Sequence, residues 1–481
     1  MLFTEPTFLF LFLPILLALY FLKRPHARYA NWLLLAASII FYAKGGGNFT
    51  WLMLASIAFN YWMAIGVERA QSVSPARART IVGVAVAVNL IVLGIFKYAN
   101  FFGENLNAVL SAAGGRPLAL PTILLPIGIS FFTFHAISYV VDVYRGDATA
   151  QKSPVHAALY LLLFPQLIAG PIIRYRHIAD QLARRVVSLE DFAAGVRRFI
   201  IGLGKKVLIA NIVAGPADKI FGLPSAQIGL GHAWLGIVCY TLQIYFDFSG
   251  YSDMAIGLGR MFGFHFPENF RWPYVAQTVQ EFWRRWHMSL SSWFRDYLYV
   301  PLGGNRVSEA RMYRNLVAVF FLCGLWHGAS WNFVIWGLFH GTFLVLERIG
   351  LATRVMRMPM PLRRIYLLLV VMVGWVFFRA GTLPEAIGFL RGMFGFNLTP
   401  APTPLALGFY LTPEVWLALT AGVIGSAPLI PALGRWRAAI VETWRGYGID
   451  IVANATLMLV FGACILQMAA RTYNPFIYFR F

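Results

Sequence analysis

Eleven apolar runs divide this sequence, at residues 8–22, 29–43, 49–66, 80–96, 122–141, 199–221, 232–250, 315–348, 365–379, 409–431 and 449–470. A segment that passes through hydrocarbon must satisfy its own backbone hydrogen bonds, and a helix of about 20 apolar residues reaches across. The runs therefore predict an all-α, polytopic helical membrane protein. The 315–348 run is long enough for a broken pair, with Gly337 inside it, so about eleven to thirteen spans are expected. Composition agrees: 59% of the residues are hydrophobic and only 12% charged, against about 25% charged in a soluble domain. That is too little polar surface to cover a water-facing globule of 481 residues. Abundant Phe, Tyr and Trp suit interfacial anchors and an aromatic interior.

The remaining charge is lopsided, with 40 Lys and Arg against 20 Asp and Glu, a formal balance of +20. In a soluble chain that excess points to nucleic acid; between membrane spans it is what cytoplasmic loops carry, with attraction to anionic lipids added. No basic stretch outside the apolar runs is long enough for a separate nucleic-acid module, so membrane lipids and no nucleic acid are expected as partners. The 8–22 run is preceded by Glu5 and Pro6 and followed by Lys23, Arg24 and Arg28 with no small-residue cleavage site. It reads as a retained first span whose N-terminus lies outside. Arg69, Arg77 and Arg79 then fall in the cytoplasm, and the turn Gly45-Gly46-Gly47-Asn48 falls outside.

Two basic regions, 174–206 and 271–314, are the expected cytoplasmic faces. The second mixes its charges with Trp272, Trp283, Trp286 and Trp293, the pattern of a segment that lies along or dips into the membrane surface. With no repeat or linker, residues 1–481 are expected to form a single membrane domain. Cys239, Cys323 and Cys464 all sit in apolar runs and offer neither a disulfide framework nor a CxxC metal site.

Polar groups at membrane depth are costly and mark function. His327 is the sharpest case, placed between Gly324 and Gly328 and flanked by Trp326 and Trp331. One reading is a structural hydrogen bond to a neighbouring helix. The other is a general base, because desolvation keeps an imidazole neutral and able to take a proton from a hydroxyl. Gly324 and Gly328 would then leave room for a substrate beside the ring. His287, in Trp286-His287-Met288, is distant enough in sequence to converge on the same pocket from another element. Alone, the pair is compatible with acyl transfer, proton transport or a metal site. Metal is the weakest of these, since only Cys323 lies a helical turn from either histidine, and no metal is expected. Cys323 itself reads more readily as a small buried hydrophobe than as a nucleophile. His340 falls on roughly the opposite side of a straight helix from His327, at about 100° per residue.

Asp247 and Asp253 add carboxylates to an apolar region. They read first as residues that join broken helices, and second as orienters of a histidine or part of a proton path. The turn at 167–175, with Gly170 and Pro171, is expected to bring Arg174 to the cytoplasmic mouth.

Several strings together resemble a known family. Pro126-Ile127-Gly128-Ile129-Ser130-Phe131, Val141-Asp142-Val143-Tyr144-Arg145-Gly146 and Phe164-Pro165-Gln166-Leu167-Ile168-Ala169-Gly170-Pro171 are similar to the membrane-bound O-acyltransferase (MBOAT) family. The blocks 247–253, 281–287, 299–305 and Leu325-Trp326-His327-Gly328, with the ending 474–481, resemble its bacterial branch, typified by the alginate O-acetyltransferase membrane subunit. The resemblance covers most of the chain from about Pro126 onward.

The resemblance implies a helical bundle around a central tunnel, with His327 catalytic and His287 as the second histidine. It implies transfer of acetyl groups from a cytoplasmic donor, acetyl-CoA, with no tightly bound cofactor. A periplasmic acetyltransferase or acetyl-carrier protein of a polysaccharide-modification system would receive them at the bacterial inner membrane. Relatives acetylate alginate, cellulose or peptidoglycan, and a more distant branch serves D-alanyl transfer to teichoic acid. Acyl transfer also needs oxyanion donors and exclusion of water; His287, Asn332 and indole N–H groups are candidates for the first, with Trp286 and Trp326 shaping the walls. Arg284, Arg285 and Arg295 are the candidates to hold an anionic donor, and lipid head groups are their alternative ligands. A proton-coupled transporter of a small anion is the competing class, but no paired interrupted helices in two similar halves support it. A scaffold for an export complex would leave the buried histidines unexplained.

Overall fold

The computed structural model describes residues 1–22, 27–397, 405–429 and 444–470, and among them every regular element is helical. Lys23, Arg24, residues 430–431 of the tenth run and the ending 474–481 lie outside the described residues. Among the described residues, six helices are long and apolar enough to cross a membrane: Phe49–Gln71, Pro75–Ala112, Leu189–Phe221, Trp331–Met356, Met360–Arg379 and Gly448–Ala470. The chain is thus an all-α, multi-pass membrane protein. The six are fewer than the eleven to thirteen counted from apolar runs because several runs fold as shorter or more polar helices. Residues 8–22 and 413–425 are apolar but short, the 122–141 run becomes helical only from Ile129, and the helix over 232–250 carries Asp247 and Asp253.

The chain folds as two compact units, residues 1–196 with 255–267, and residues 197–254 with 268–481. In the first unit, Phe49–Gln71 and Pro75–Ala112 pack as a hairpin joined by an amide pair. Asn60 Nδ2 donates to Asn89 Oδ1 at 3.2 Å, and Asn89 Nδ2 returns a bond to Asn60 Oδ1 at 2.7 Å. Such amide bonds hold helices together where lipid offers no hydrophobic drive between them. At about 1.5 Å per residue, the 38-residue helix Pro75–Ala112 is about 57 Å long, well beyond a hydrocarbon core of about 30 Å. The chain then returns along it in extended form. Asn100 and Asn107 each clamp one residue of that return, bonding both the N–H and the C=O of Ile123 and of Leu118. The apolar run at 80–96 therefore marks only the middle of this element. The Gly170-Pro171 turn is present, with Ile173 N–H donating to His135 Nε2 at 3.1 Å, but Arg174 is buried instead of opening onto a mouth.

The second unit explains the two aspartates. Leu189–Gly204 and Leu230–Met261 cross where a Cβ on Gly202 or Gly250 would meet the opposite backbone carbonyl, so only glycine permits the approach. Around this crossing Lys206 pairs with Asp247 at 2.5 Å, and Asp253 takes both Lys205 and Arg198 at 2.6 Å. Both carboxylates thus pin two helices together. A second hairpin, Glu309–His327 with Trp331–Leu346, closes in the same way on Gly324 and Gly337, each of which faces the other helix's backbone. Met360–Arg379 packs against its second arm.

Candidate active site

His327 is the last residue of its helix, because Gly328 takes an extended conformation and the chain turns through Ala329 and Ser330 before Trp331 restarts it. The side chain is 7% exposed. Trp326, Trp336 and Phe378 stand edge-on around the ring, with centroids 4.9, 5.0 and 5.1 Å away. The break at 328–330 also corrects the expected place of His340. The two histidines lie on different arms of a hairpin, and His340 joins the same cluster through Trp336 at 5.2 Å and Trp283 at 5.1 Å. The space expected beside Gly324 and Gly328 is filled: a Cβ on either residue would run into Phe333, its carbonyl in the first case and its ring in the second. These glycines serve helix contact, and room for a substrate has to be sought on another side of the ring.

The 271–314 segment breaks into short helices, among them Val279–Arg285 and Met288–Phe294, and buries Trp283, Trp286 and Trp293. Trp286 stacks on Phe282 at 5.5 Å and leans on Trp375 at 5.0 Å. Val279–Arg285 is fixed at its start by an unusual cap. The buried Glu347 carboxylate accepts the N–H groups of Val279 and Gln280 at 2.7 and 2.9 Å, and the hydroxyl of Tyr366 at 3.1 Å. An anion there satisfies orphan donors and complements the helix dipole. At the other end the chain turns sharply at His287, whose φ of 43° is left-handed, a costly conformation for a residue other than glycine.

His287 is 1% exposed and lies outside the spanning helices; burial lowers its imidazole from the ordinary histidine range to about 3. Its ring is 4.6 Å from Phe248 and 6.3 Å from Trp326, so Trp326 neighbours both His287 and His327. Among the described residues, His287 Nε2, both nitrogens of His340 and the indole nitrogens of Trp283 and Trp336 make no hydrogen bond. Buried polar atoms are nearly always satisfied, and a group of them without protein partners is suited to meet a ligand. Asn332, also buried, donates from Nδ2 to the carbonyl of Ala380 at 2.7 Å, which leaves its oxygen toward the interior and weakens it as an oxyanion donor.

The arginine candidates differ among themselves. Arg285 is held by Glu281 at 2.6 Å, and Arg295 by its neighbour Asp296 at 2.6 Å. Arg284 is exposed and forms no ion pair among the described residues. No cluster of three His, Cys, Asp or Glu side chains occurs among the described residues. Two residues that the sequence did not single out belong to the site's frame: Glu347, an acid in an apolar stretch, and Asn269, whose Oδ1 accepts the Ser289 hydroxyl at 2.9 Å and lies 3.2 Å from His287 Nδ1. Only Glu347 carried a signal, since a carboxylate at the end of an apolar run is costly unless it is paired.

A buried histidine among aromatic rings, with a second buried histidine nearby, thus sits on a multi-pass helical frame. Residues 151–382 match the model of the MBOAT, membrane-bound O-acyltransferase, family, and the chain belongs to that family. It is 46% identical over 507 residues to the probable alginate O-acetylase AlgI of Azotobacter vinelandii and 44% identical over 492 residues to that of Pseudomonas putida, both alignments covering all of each chain. The peptidoglycan O-acetyltransferase of Helicobacter pylori is 38% identical over 82% of this chain and 80% of its own. The protein is an O-acyltransferase and uses an acyl donor.

Proposed function

We propose that this chain moves acetyl groups from acetyl-CoA at the cytoplasmic face across the bacterial inner membrane for O-acetylation of an exported polysaccharide, alginate first, within one integral membrane domain. The observation that carries the reading is His327 itself, a histidine closed in by aromatic rings at a helix end, next to the buried His287. Full-length similarity to alginate O-acetylases favours alginate over peptidoglycan as the polymer, since the Helicobacter relative matches less of the chain at lower identity. Cellulose and teichoic acid D-alanylation stand further off.

In this reading His327 takes the proton of an acceptor hydroxyl as the oxygen attacks the thioester carbonyl. The tetrahedral oxyanion is met by buried donors, the Trp283 and Trp336 indole N–H groups being free to serve. Collapse breaks the C–S bond, and the leaving thiolate takes the proton back from the imidazolium. The aromatic wall keeps out water that would hydrolyse the donor. A periplasmic acetyltransferase or acetyl carrier passes the group to the polymer. His327→Ala in producing cells tests the reading: polymer acetylation should disappear while the variant reaches the membrane in normal amount. Acetylation near the normal level in that variant would remove His327 from the chemistry.

A further inference from the structure

The helix Pro75–Ala112 outruns the helix it pairs with. Phe49, the first residue of that neighbour, meets Phe96 at 5.8 Å between ring centroids, and Pro75–Ala112 continues past this level without a break. The uncharged stretch between Arg79 and Lys97 covers about 27 Å at about 1.5 Å per residue, nearly the hydrocarbon core of about 30 Å. From Lys97 to Ala112 the same rise adds about 22 Å, of which the head-group layer takes about 5–8 Å. A tilt of about 20° shortens this by little. The last two turns therefore stand in water. Arg77 and Arg79, at the start of the helix, hold that end in the cytoplasm, so the far end stands on the outer face.

This spur is apolar where it leaves the membrane. Phe102, Leu106 and Val109, spaced by four and then three residues, form one helical stripe and are 68%, 48% and 66% exposed. Phe102 lies at head-group depth, and Leu106 and Val109 stand beyond it. Asn100 and Asn107 lie on roughly the opposite side of the helix, at about 100° per residue. Asn107 bonds both the N–H and the C=O of Leu118, at 2.7 and 3.0 Å, and Asn100 those of Ile123, at 2.9 and 2.8 Å. The return thus stiffens the spur and leaves the stripe uncovered. Lipid is a poor cover for it. A helix that lies on a membrane surface carries Lys and Arg on its polar face, whereas Glu104 and Arg116 are the only charged residues between Lys97 and Asp142. An unbroken helix that has crossed the bilayer also continues away from it. Apolar anchors at i, i+4 and i+7 are the form in which one helix fills a groove on a protein, and a rigid helix gives up little freedom on binding. We propose that Phe102, Leu106 and Val109 dock a water-soluble protein on the outer face, one that offers an apolar groove to a single helix and carries the acetyl group onward to the polymer. The partner's role rests on the acyl-transfer reading; the docking surface does not.

The test puts a photoreactive benzoylphenylalanine in place of Val109 in the full-length chain, in cells that make the polymer. A second position, Ile91, exposed between Arg79 and Lys97, serves as the lipid-facing control. Light should join the Val109 position, and not the Ile91 position, to a soluble protein whose deletion stops polymer acetylation. Adducts at Val109 to lipid alone, to a second copy of this chain or to nothing would overturn the proposal, as would the same protein joined equally from Ile91. Leu106→Asp combined with Val109→Asp, which touches no residue of the candidate site, should lower polymer acetylation at least about 10-fold with the variant in the membrane in normal amount, the scale of losing an interface's anchors. Normal acetylation in that variant would also overturn it. The cross-link is read independently of catalysis. If it forms as expected while His327→Ala still acetylates the polymer, the acyl-transfer reading fails and the docking surface stands.

Discussion

At the scale of single residues, ion pairing marks polar groups that look functional but hold helices together. Asp247 and Asp253 drew attention as carboxylates in an apolar run, yet each is engaged by a lysine or arginine across a helix crossing. Cys323 is buried one helical turn before His327. Cys323→Ala should keep most acetyl transfer, with a stability loss of about 1 kcal/mol from the lost contacts; an acetyl thioester trapped on Cys323 would reverse its assignment to packing. Of the three candidate arginines, Arg284 alone is exposed with no carboxylate partner among the described residues, so Arg284→Ala should raise the KM for acetyl-CoA more than Arg285→Ala or Arg295→Ala, and more than it lowers turnover at saturation. An unchanged KM in all three would assign this rim to lipid head groups. His287 gives a pH dependence. Unfolded, it titrates near the ordinary value of about 6.5; folded, near about 3. Between those values the unfolded chain binds more protons, so the stability His287 contributes is complete above the unfolded value and is lost as pH falls toward the folded one. Thermal unfolding of His287→Asn should therefore be less sensitive to acidification than that of the wild type, and an equal sensitivity would place the effect elsewhere.

At the scale of elements, the candidate-site hairpin depends on Gly324, which the sequence suggested for substrate room, and on Gly337, which it suggested only as lying inside a broken pair. Gly324 and Gly337 face the opposite backbone so closely that a methyl group has no flexible neighbour to displace. Gly324→Ala and Gly337→Ala should each cost about 1–3 kcal/mol or more, seen as a lower thermal midpoint in detergent. Gly83→Ala, where nothing lies within 4 Å of the added methyl, should be neutral or slightly stabilising. Equal midpoints for all three would mean that the hairpin does not close on these glycines. The misplacing of His340 and the misassigned role of Gly324 and Gly328 have a common origin in this hairpin. A straight helix through 315–348 sends His340 away from His327, whereas the extended Gly328 folds the second arm back and brings both to Trp336. Small residues signal close approach without saying what approaches, and here it is Phe333 and a helix backbone.

At the scale of the whole molecule, the multi-pass helical class was legible because lipid requires long apolar runs, and the family was legible because strings such as Trp326-His327-Gly328 persist in order along the chain. What could not be read was the non-local frame. Asn269 lies in a loop with no apolar pattern, and its importance appears only when folding brings it against 287–289; Glu347 caps a helix far from it in sequence. The account's central claim is that His327 transfers acetyl groups across the membrane to a hydroxyl. Inside-out vesicles from cells that make the polymer and its periplasmic partners, given labelled acetyl-CoA on the exposed cytoplasmic face, address it directly. Wild-type vesicles should accumulate label on a hydroxyl acceptor in the lumen, and His327→Ala vesicles with equal protein should fall by at least about 100-fold, the scale of a lost general base. Luminal O-acetyl label in the variant at the wild-type rate would contradict it.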